Sequence, residues 1–172
     1  MELIPLKISD FETLYSIASD PLIWEQHPNK NRYEREVFAN FFEGAILSKG
    51  AYIAYKKADN TPIGSSRFYD HDAKAKTISI GYTFLARDCW GKGYNFAMKS
   101  LMLNYAFTFV ESVHFHIGAQ NIRSQKAIEK LGAIKLSEQA LAYFGEPVRL
   151  NFIYAISSAQ WKELTQANTL ND

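Results

Sequence analysis

The stretch Cys89-Trp90-Gly91-Lys92-Gly93-Tyr94-Asn95 constrains the fold more than any other part of this chain. It follows a strand-like run, Thr77 to Leu85, and opens a helix-like run from Asn95 to about Val110. Gly91 and Gly93 either take φ > 0 without a Cβ penalty or let a ligand approach the backbone closely. A strand, such a turn and a helix aim several backbone N–H groups and the positive end of a helix dipole at one small volume. That is an anion site, suited above all to phosphate. Lys92 adds a point charge at its rim.

The flanking runs fix the neighbourhood of the turn. Strand alternation puts Ile78, Ile80, Tyr82 and Phe84 on one face and Ser79, Gly81, Thr83 and Leu85 on the other. Gly81, inside that strand, predicts a bulge or a close approach. Along the helix, Ala97, Leu101, Tyr105 and Phe109 form one stripe, with Met98, Met102 and Ala106 beside it, and this reads as a packing face. Ser112 to Ala119 is a further strand, so strand, helix and strand make a right-handed crossover with parallel strands.

Upstream, Glu2 to Lys7 reads as a strand. Ser9 with Glu12 forms a capping box for a helix over about 10–19, and Asp20-Pro21 is a second cap. A helix from about Tyr33 to Ser48 stops at Gly50, and a hairpin of Ala51 to Lys57 and Pro62 to Asp70 precedes a polar loop, His71 to Lys76. Downstream, Asn121-Ile122-Arg123-Ser124 opens a helix carrying Ala127, Ile128 and Leu131 that ends at Gly132. Ala133 to Ala142 and Pro147 to Ser157 form a hairpin turning at about Tyr143 to Glu146, and a helix from Ser158 to about Gln166 leads to a polar tail. The 172 residues make one domain with no linker or internal repeat.

Bulk properties exclude several function classes. Nineteen basic against eighteen acidic residues give a net charge of +1, which predicts no nucleic-acid or anionic-membrane partner. A single cysteine excludes an internal disulfide and any multi-cysteine metal site. No apolar run reaches the roughly 18 residues of a membrane span, and the first residues lack a signal peptide's pattern, so a cytoplasmic location is expected.

The Trp90–Asn95 stretch resembles the acetyl-CoA pyrophosphate loop of the GNAT superfamily of N-acyltransferases, whose signature is Gln/Arg-x-x-Gly-x-Gly/Ala. Asn121-Ile122-Arg123-Ser124 with Glu129-Lys130-Leu131-Gly132 is similar to that family's second motif, and the order of elements matches over essentially the whole chain. The Trp-Gly-Lys-Gly-Tyr wording points to the branch that includes the ribosomal-protein N-terminal acetyltransferases. The resemblance implies an α/β (α+β) fold: a mostly antiparallel mixed sheet with a central splayed parallel strand pair and helices on both faces. It also implies an acetyl-CoA-dependent N-acetyltransferase acting on a protein N-terminus or a small-molecule amine, without a metal. A homodimer is left open. The alternative is a module of the same fold that binds acyl-CoA with little or no transfer.

Two residues depart from the signature. Trp90 replaces Gln or Arg, which a loop working through backbone amides tolerates. Asn95 replaces Gly or Ala, where it either crowds the pyrophosphate or caps the helix; the capping reading is preferred because Asn is a favoured N-cap.

The resemblance further implies that the amides of Trp90, Gly91, Lys92, Gly93, Tyr94 and Asn95 hold the pyrophosphate. Pantetheine then pairs with Phe84 and Leu85, and a Leu85-region N–H polarises the thioester. Asn121 and Ser124 serve the cofactor, with an ordinary helix cap as the alternative for Asn121, and Ser124 hydrogen-bonds the departing thiolate. Tyr143 or Tyr154 are substitutes for Ser124. The strand carboxylate that many relatives use as a base is missing, since Ser79-Ile80-Gly81-Tyr82 occupies the matching stretch. His116 on the next strand is the candidate base, with His114 on its face; a packed or surface histidine is the plainer reading. Asp70, His71 and Glu146 lie in loops that either flank the acceptor side or, the plainer reading, are simply solvated. Arg67 meets either the acceptor or an internal partner, and Trp24, Tyr33, Phe41 and Phe42 either line the acceptor cleft or pack. Cys89 is read as an ordinary thiol.

Overall fold

The structure, a computed structural model, describes residues 1–142, 145 and 147–169. Its elements run β1 (Glu2–Pro5), α1 (Phe11–Ala18), α2 (Arg35–Ser48), β2 (Ala51–Tyr55), β3 (Pro62–Asp72), β4 (Thr77–Leu85) and α3 (Tyr94–Ala106). Then follow β5 (Ser112–Gly118), α4 (Ile122–Glu129), β6 (Ile134–Leu141), β7 (Arg149–Ser157) and α5 (Ser158–Thr169). The strands form one seven-stranded sheet in the order β1-β2-β3-β4-β5-β7-β6. The α3 crossover makes β4 and β5 parallel, and every other neighbouring pair is antiparallel.

The parallel pair separates. Its ladder covers only Thr77↔Ser112, Ile78↔Val113 and Ser79↔His114. From there β5 stays with β7 along its whole length, from Ser112↔Ser157 to Gly118↔Asn151. β4 stays with β3, but its register shifts between Ser65 and Arg67, and Tyr82 takes φ 52°. This bulge bends and over-twists β4 away from β5. Both arguments for Gly81 hold, because a Cβ there would lie 2.9 Å from Tyr69 Cε1.

The bulge overturns the expected faces of β4. One inserted residue inverts the sidedness of everything after it. Ile78, Ile80 and Leu85 therefore join the core under α3 and α5, built with Met98, Met102, Leu103, Val113, Phe115 and Trp161. Tyr82 and Phe84 turn to the other face, against α1 and α2. There Phe84 meets Trp24 at 5.3 Å and Phe38 at 6.2 Å between ring centroids.

Other boundaries differ for local reasons. Helix α3 ends at Ala106, and its buried stripe is Met98, Lys99, Met102, Leu103 and Ala106. The expected stripe of Ala97, Leu101, Tyr105 and Phe109 lies on the flank, with Leu101, Tyr105 and Phe109 exposed. Ser9 is not a cap: Asp10 accepts the Lys7 N–H at 2.8 Å, α1 starts at Phe11, and Glu12 pairs with Arg35 across to α2. Helix α2 stops on Lys49 in the left-handed region, while Gly50 admits the Phe68 carbonyl, 2.3 Å from where a Cβ would sit. Strand β3 runs on to Asp72, whose Oδ1 accepts the N–H groups of Lys74 and Ala75 to make the turn. Asp20 caps as expected, accepting the Leu22 N–H at 3.0 Å, but over a single 3-10 turn.

Candidate active site

The gap between β4 and β5 is a cleft of about 690 Å³. Its arms are Ile80 to Leu85 on one side and Phe115 to Gly118 on the other, and the glycine turn and the start of α4 close its ends. Beyond Ser79 the β5-facing edge of β4 has no neighbouring strand in the ladder, which leaves room beside it for an extended ligand.

Phe84 and Leu85 sit on that edge, with their side chains buried on opposite faces of the sheet. The Leu85 carbonyl accepts from Trp90 Nε1 at 3.0 Å, which folds the indole back beneath the turn. Gly91 and Gly93 both take left-handed φ, +72° and +79°, and nothing lies within 4 Å of a Cβ built on either. The backbone angle favours glycine, and the open space beside it belongs to the cleft. Helix α3 begins at Tyr94 with Gly93 as its N-cap and no side-chain cap. Asn95 therefore does not cap the helix: the left-handed glycine already ends the turn, and Asn95 lies in the first turn facing the cleft. The amides of that turn have no side-chain cap and open onto the cleft, an arrangement able to hold an anion. Lys92 is exposed at the rim, and the Lys56 ammonium stands 5.7 Å from the Tyr94 ring centre and 3.2 Å from Asp88 Oδ2.

Across the cleft, buried Asn121 caps α4: its Oδ1 accepts the Ser124 N–H at 3.2 Å. The cap reading is the one seen for Asn121, which also lines the cleft. Ser124 is half-buried on the wall, and its hydroxyl makes no hydrogen bond among the described residues. Gln125 anchors this helix to β5, donating to the carbonyls of Gly118 and Ala119 at 3.3 and 3.0 Å. Arg123 joins the two motifs. Its guanidinium lies over the Trp90 ring at 3.9 Å and donates to the Ile23 carbonyl at 2.9 Å.

His116 is in the cleft, on the face that carries α1 and α2, edge-on to Tyr69 at 5.6 Å. Burial pushes its pKa below the usual range, and Asp70 opposes this more weakly. The imidazole is thus held neutral at neutral pH. His114 shares its face but pairs within the closed part of the ladder and does not line the cleft. Among the described residues no group of three His, Cys, Asp or Glu could hold a metal ion. Asp70 is exposed outside the cleft, and His71 packs on Phe109 at 5.6 Å. Tyr143 and Glu146 lie outside the described residues. Tyr154 is excluded as an acid for the cleft, because it is buried in the core with its hydroxyl donating to Glu129 Oε1 at 3.1 Å. Burial raises the Cys89 thiol pKa, so it stays protonated.

Of the aromatic candidates only Trp24 reaches the cleft, its Nε1 anchored to the Ala18 carbonyl at 2.7 Å. Phe41 and Phe42 pack in the core, and Tyr33 lies at the surface. Arg67 donates to the Phe41 carbonyl at 3.1 Å and stacks on Tyr82 at 3.9 Å, linking α2 to the bulge.

Among the cleft residues that escape the sequence reading are Arg32, His27, Thr83 and Lys99. Arg32 is buried, lies over the Phe41 and Trp24 rings, and has Nη1 3.1 Å from His27 Nε2. Burial first, and then Arg32, push the His27 pKa well down. No periodic signal marks these two residues. Thr83 and Lys99 meet beneath β4, and Lys99 did leave a signal: one cation on the α3 face that carries Met98, Met102 and Leu103. Among the described residues that line the cleft none is Asp or Glu, while Arg32, Lys99, Arg123, Lys126, Lys130 and Arg149 all do.

The comparison with known structures agrees with this geometry. A GCN5-related N-acetyltransferase from Brucella melitensis is similar with TM-score 0.79 at 17% identity, over 98% of this chain and 80% of that one. A GNAT-family acetyltransferase from Bacillus anthracis is similar with TM-score 0.70 at 18% identity, over 90% and 93%. A spermidine N-acetyltransferase from Vibrio cholerae, in complex with CoA and spermine, is similar with TM-score 0.71 at 13% identity, over 94% and 97%. At these identities the likeness shows the fold. The family follows from the sequence itself, since the model of the acetyltransferase (GNAT) domain matches residues 1–134. With that match spanning both β4 and β5, the glycine turn and the start of α4, the chain belongs to the GNAT acetyltransferase family.

Proposed function

We propose that the protein transfers the acetyl group of acetyl-CoA directly to a primary amine within a ternary complex. The observation that carries this reading is the separation of β4 from β5 beyond Ser79, a gap that opens onto the amide-rich start of α3. A pantetheine arm along Phe84 and Leu85 completes that edge as a pseudo-strand, and the diphosphate takes the amides of residues 91–95. One N–H of this edge polarises the thioester carbonyl, a contribution of about 3–4 kcal/mol in other acyl-transfer sites. Ser124, with an uncommitted hydroxyl, hydrogen-bonds the sulfur. His116, neutral and on the face of α1 and α2, takes the proton of the attacking amine.

The acceptor is an amine of low pKa. A lysine-type amine at about 10.4 costs roughly 4.6 kcal/mol to deprotonate at pH 7, whereas a peptide α-amine at about 7.7–8.0 costs about 1.0–1.4 kcal/mol. A site served by a weak base suits the second. The Vibrio cholerae relative acts on spermidine. Here the cationic wall and the lack of carboxylates among the described lining residues disfavour a polyamine and favour a singly charged α-amine, as in the N-terminal branch.

That same lack of a carboxylate favours a second reading, a module that holds acyl-CoA without transfer. Release of free CoA thiol from acetyl-CoA over a panel of peptide α-amines, small amines and polyamines separates the two. Turnover with α-amines supports transfer; tight CoA binding with no turnover on any amine supports the module.

A further inference from the structure

The Lys99 ammonium occupies a place that neither motif explains. Its side chain is 3% exposed, yet it forms part of the cleft wall. Nζ donates to Ser66 Oγ at 3.1 Å and to Thr83 Oγ1, and it stands 6.0 Å from the Phe115 ring centre. Thr83 belongs to one arm of the gap and Phe115 to the other, so the amine lies at the vertex, just past the last parallel pair, Ser79↔His114. Asn95, one helical turn earlier, lines the same wall.

The face matters. Lys99 approaches from α3, opposite the face of α1, α2 and His116, so it lies beneath the cofactor rather than beside the acceptor. Among the described residues its surroundings hold no counter-charge. From β3 and β4 it faces two hydroxyls, from β5 an aromatic ring, and on its own helix Met98, Met102 and Leu103. Burial alone moves its pKa, from 10.5 to about 7. A cation kept in such a place without a carboxylate is costly, and two hydroxyls that already bond each other at 2.8 Å do not need it.

We propose that Lys99 is a catalytic acid of the transfer step, whose ammonium gives its proton to the departing CoA thiolate. The inference rests on the acetyl-CoA reading above. The amine nitrogen attacks the thioester carbon, the C–N bond forms, and the C–S bond breaks with its electron pair on sulfur. Sulfur takes the Lys99 proton to give the thiol and a neutral Lys99. The new amide nitrogen loses its proton to His116, and exchange with water then returns both side chains to their starting states. Ser124 complements this, since a hydroxyl holds a hydrogen bond to sulfur but is too weak an acid to supply the proton. An acid near 7 protonates an alkyl thiolate of pKa about 8.5 with an equilibrium about 30-fold in its favour.

The test is the pH profile of kcat for the full chain with acetyl-CoA and an acceptor amine, with CoA affinity measured by calorimetry. With an acceptor amine whose own pKa lies below about 6, so that its deprotonation does not enter, the wild type should lose activity as pH rises through about 7, because the protonated form of Lys99 is the one that works. In Lys99→Met, kcat should fall at least 100-fold, the alkaline limb should vanish, and the CoA Kd should stay within about threefold. Thr83→Val removes one hydroxyl that supports the ammonium and should move the alkaline limb to lower pH. A Lys99→Met enzyme with the wild-type rate and limb overturns the proposal, as does a limb that ignores Thr83→Val. Failure of the wild type to bind CoA sinks the acetyl-CoA reading instead.

Discussion

The Arg123 guanidinium lies 3.9 Å from the centre of the Trp90 ring, so the first turn of α4 is stacked on the glycine turn that precedes α3. Two motifs that are 33 residues apart in the chain thereby form one rigid rim, further tied by the Arg123 bond to the Ile23 carbonyl. Trp90 occupies the position at which the family signature carries Gln or Arg, and its indole serves as the platform.

Removing that stack should loosen the rim without unfolding the sheet. Arg123→Ala loses a half-buried cation–π contact worth about 1 kcal/mol together with a charge near the proposed diphosphate site. CoA affinity by calorimetry should weaken about 5- to 30-fold, while thermal unfolding shifts by only a few degrees.

Gly93→Glu tests the anion site. The φ of +79° costs a side-chain-bearing residue about 1–2 kcal/mol, and the empty space beside Gly93 accepts the side chain, so the fold survives. The new carboxylate stands in the open space beside Gly93, where the proposed diphosphate would lie. CoA binding should be lost while the circular dichroism spectrum is retained; retained affinity would sink the phosphate assignment.

Ser124→Ala addresses the sulfur side. The hydroxyl has no partner among the described residues, so its loss leaves no orphaned group and stability should hold within about 0.5 kcal/mol. The transfer rate should drop about 10-fold with CoA affinity nearly unchanged. Equal losses in both would assign the serine to binding alone.

Lys99 has a stability signature separate from its chemistry. Its folded pKa lies below the unfolded value, so the unfolded chain binds the extra proton, and the penalty is complete below about 7 and gone above about 10.5. Wild-type stability in urea should therefore rise with pH across that window. Lys99→Met should flatten the rise and, at pH 7, stabilise the fold, because the desolvation penalty on the charged amine exceeds what two modest hydrogen bonds return. A destabilised variant with an unchanged pH slope would show that the amine is well satisfied where it sits.

The sequence by itself determined the parts whose signals are local. The two left-handed glycines between a strand and a helix, the start of α4 at Asn121-Ile122-Arg123-Ser124, Gly81 as a break in β4 and the order of elements are all written in short stretches, because turn geometry and helix starts depend on residues within a few positions. Only the tertiary structure decided where β4 leaves β5, and with it the faces of the later β4 side chains. One bulged residue at Tyr82 re-sorts Phe84 and Leu85 between two cores, and simple alternation carries no trace of that until β3 is laid alongside. The same holds for the chemistry inside the gap. Lys99, Arg32 and His27 owe their altered acidity or their contacts to burial by segments distant in the chain, and burial is a property of packing rather than of spacing.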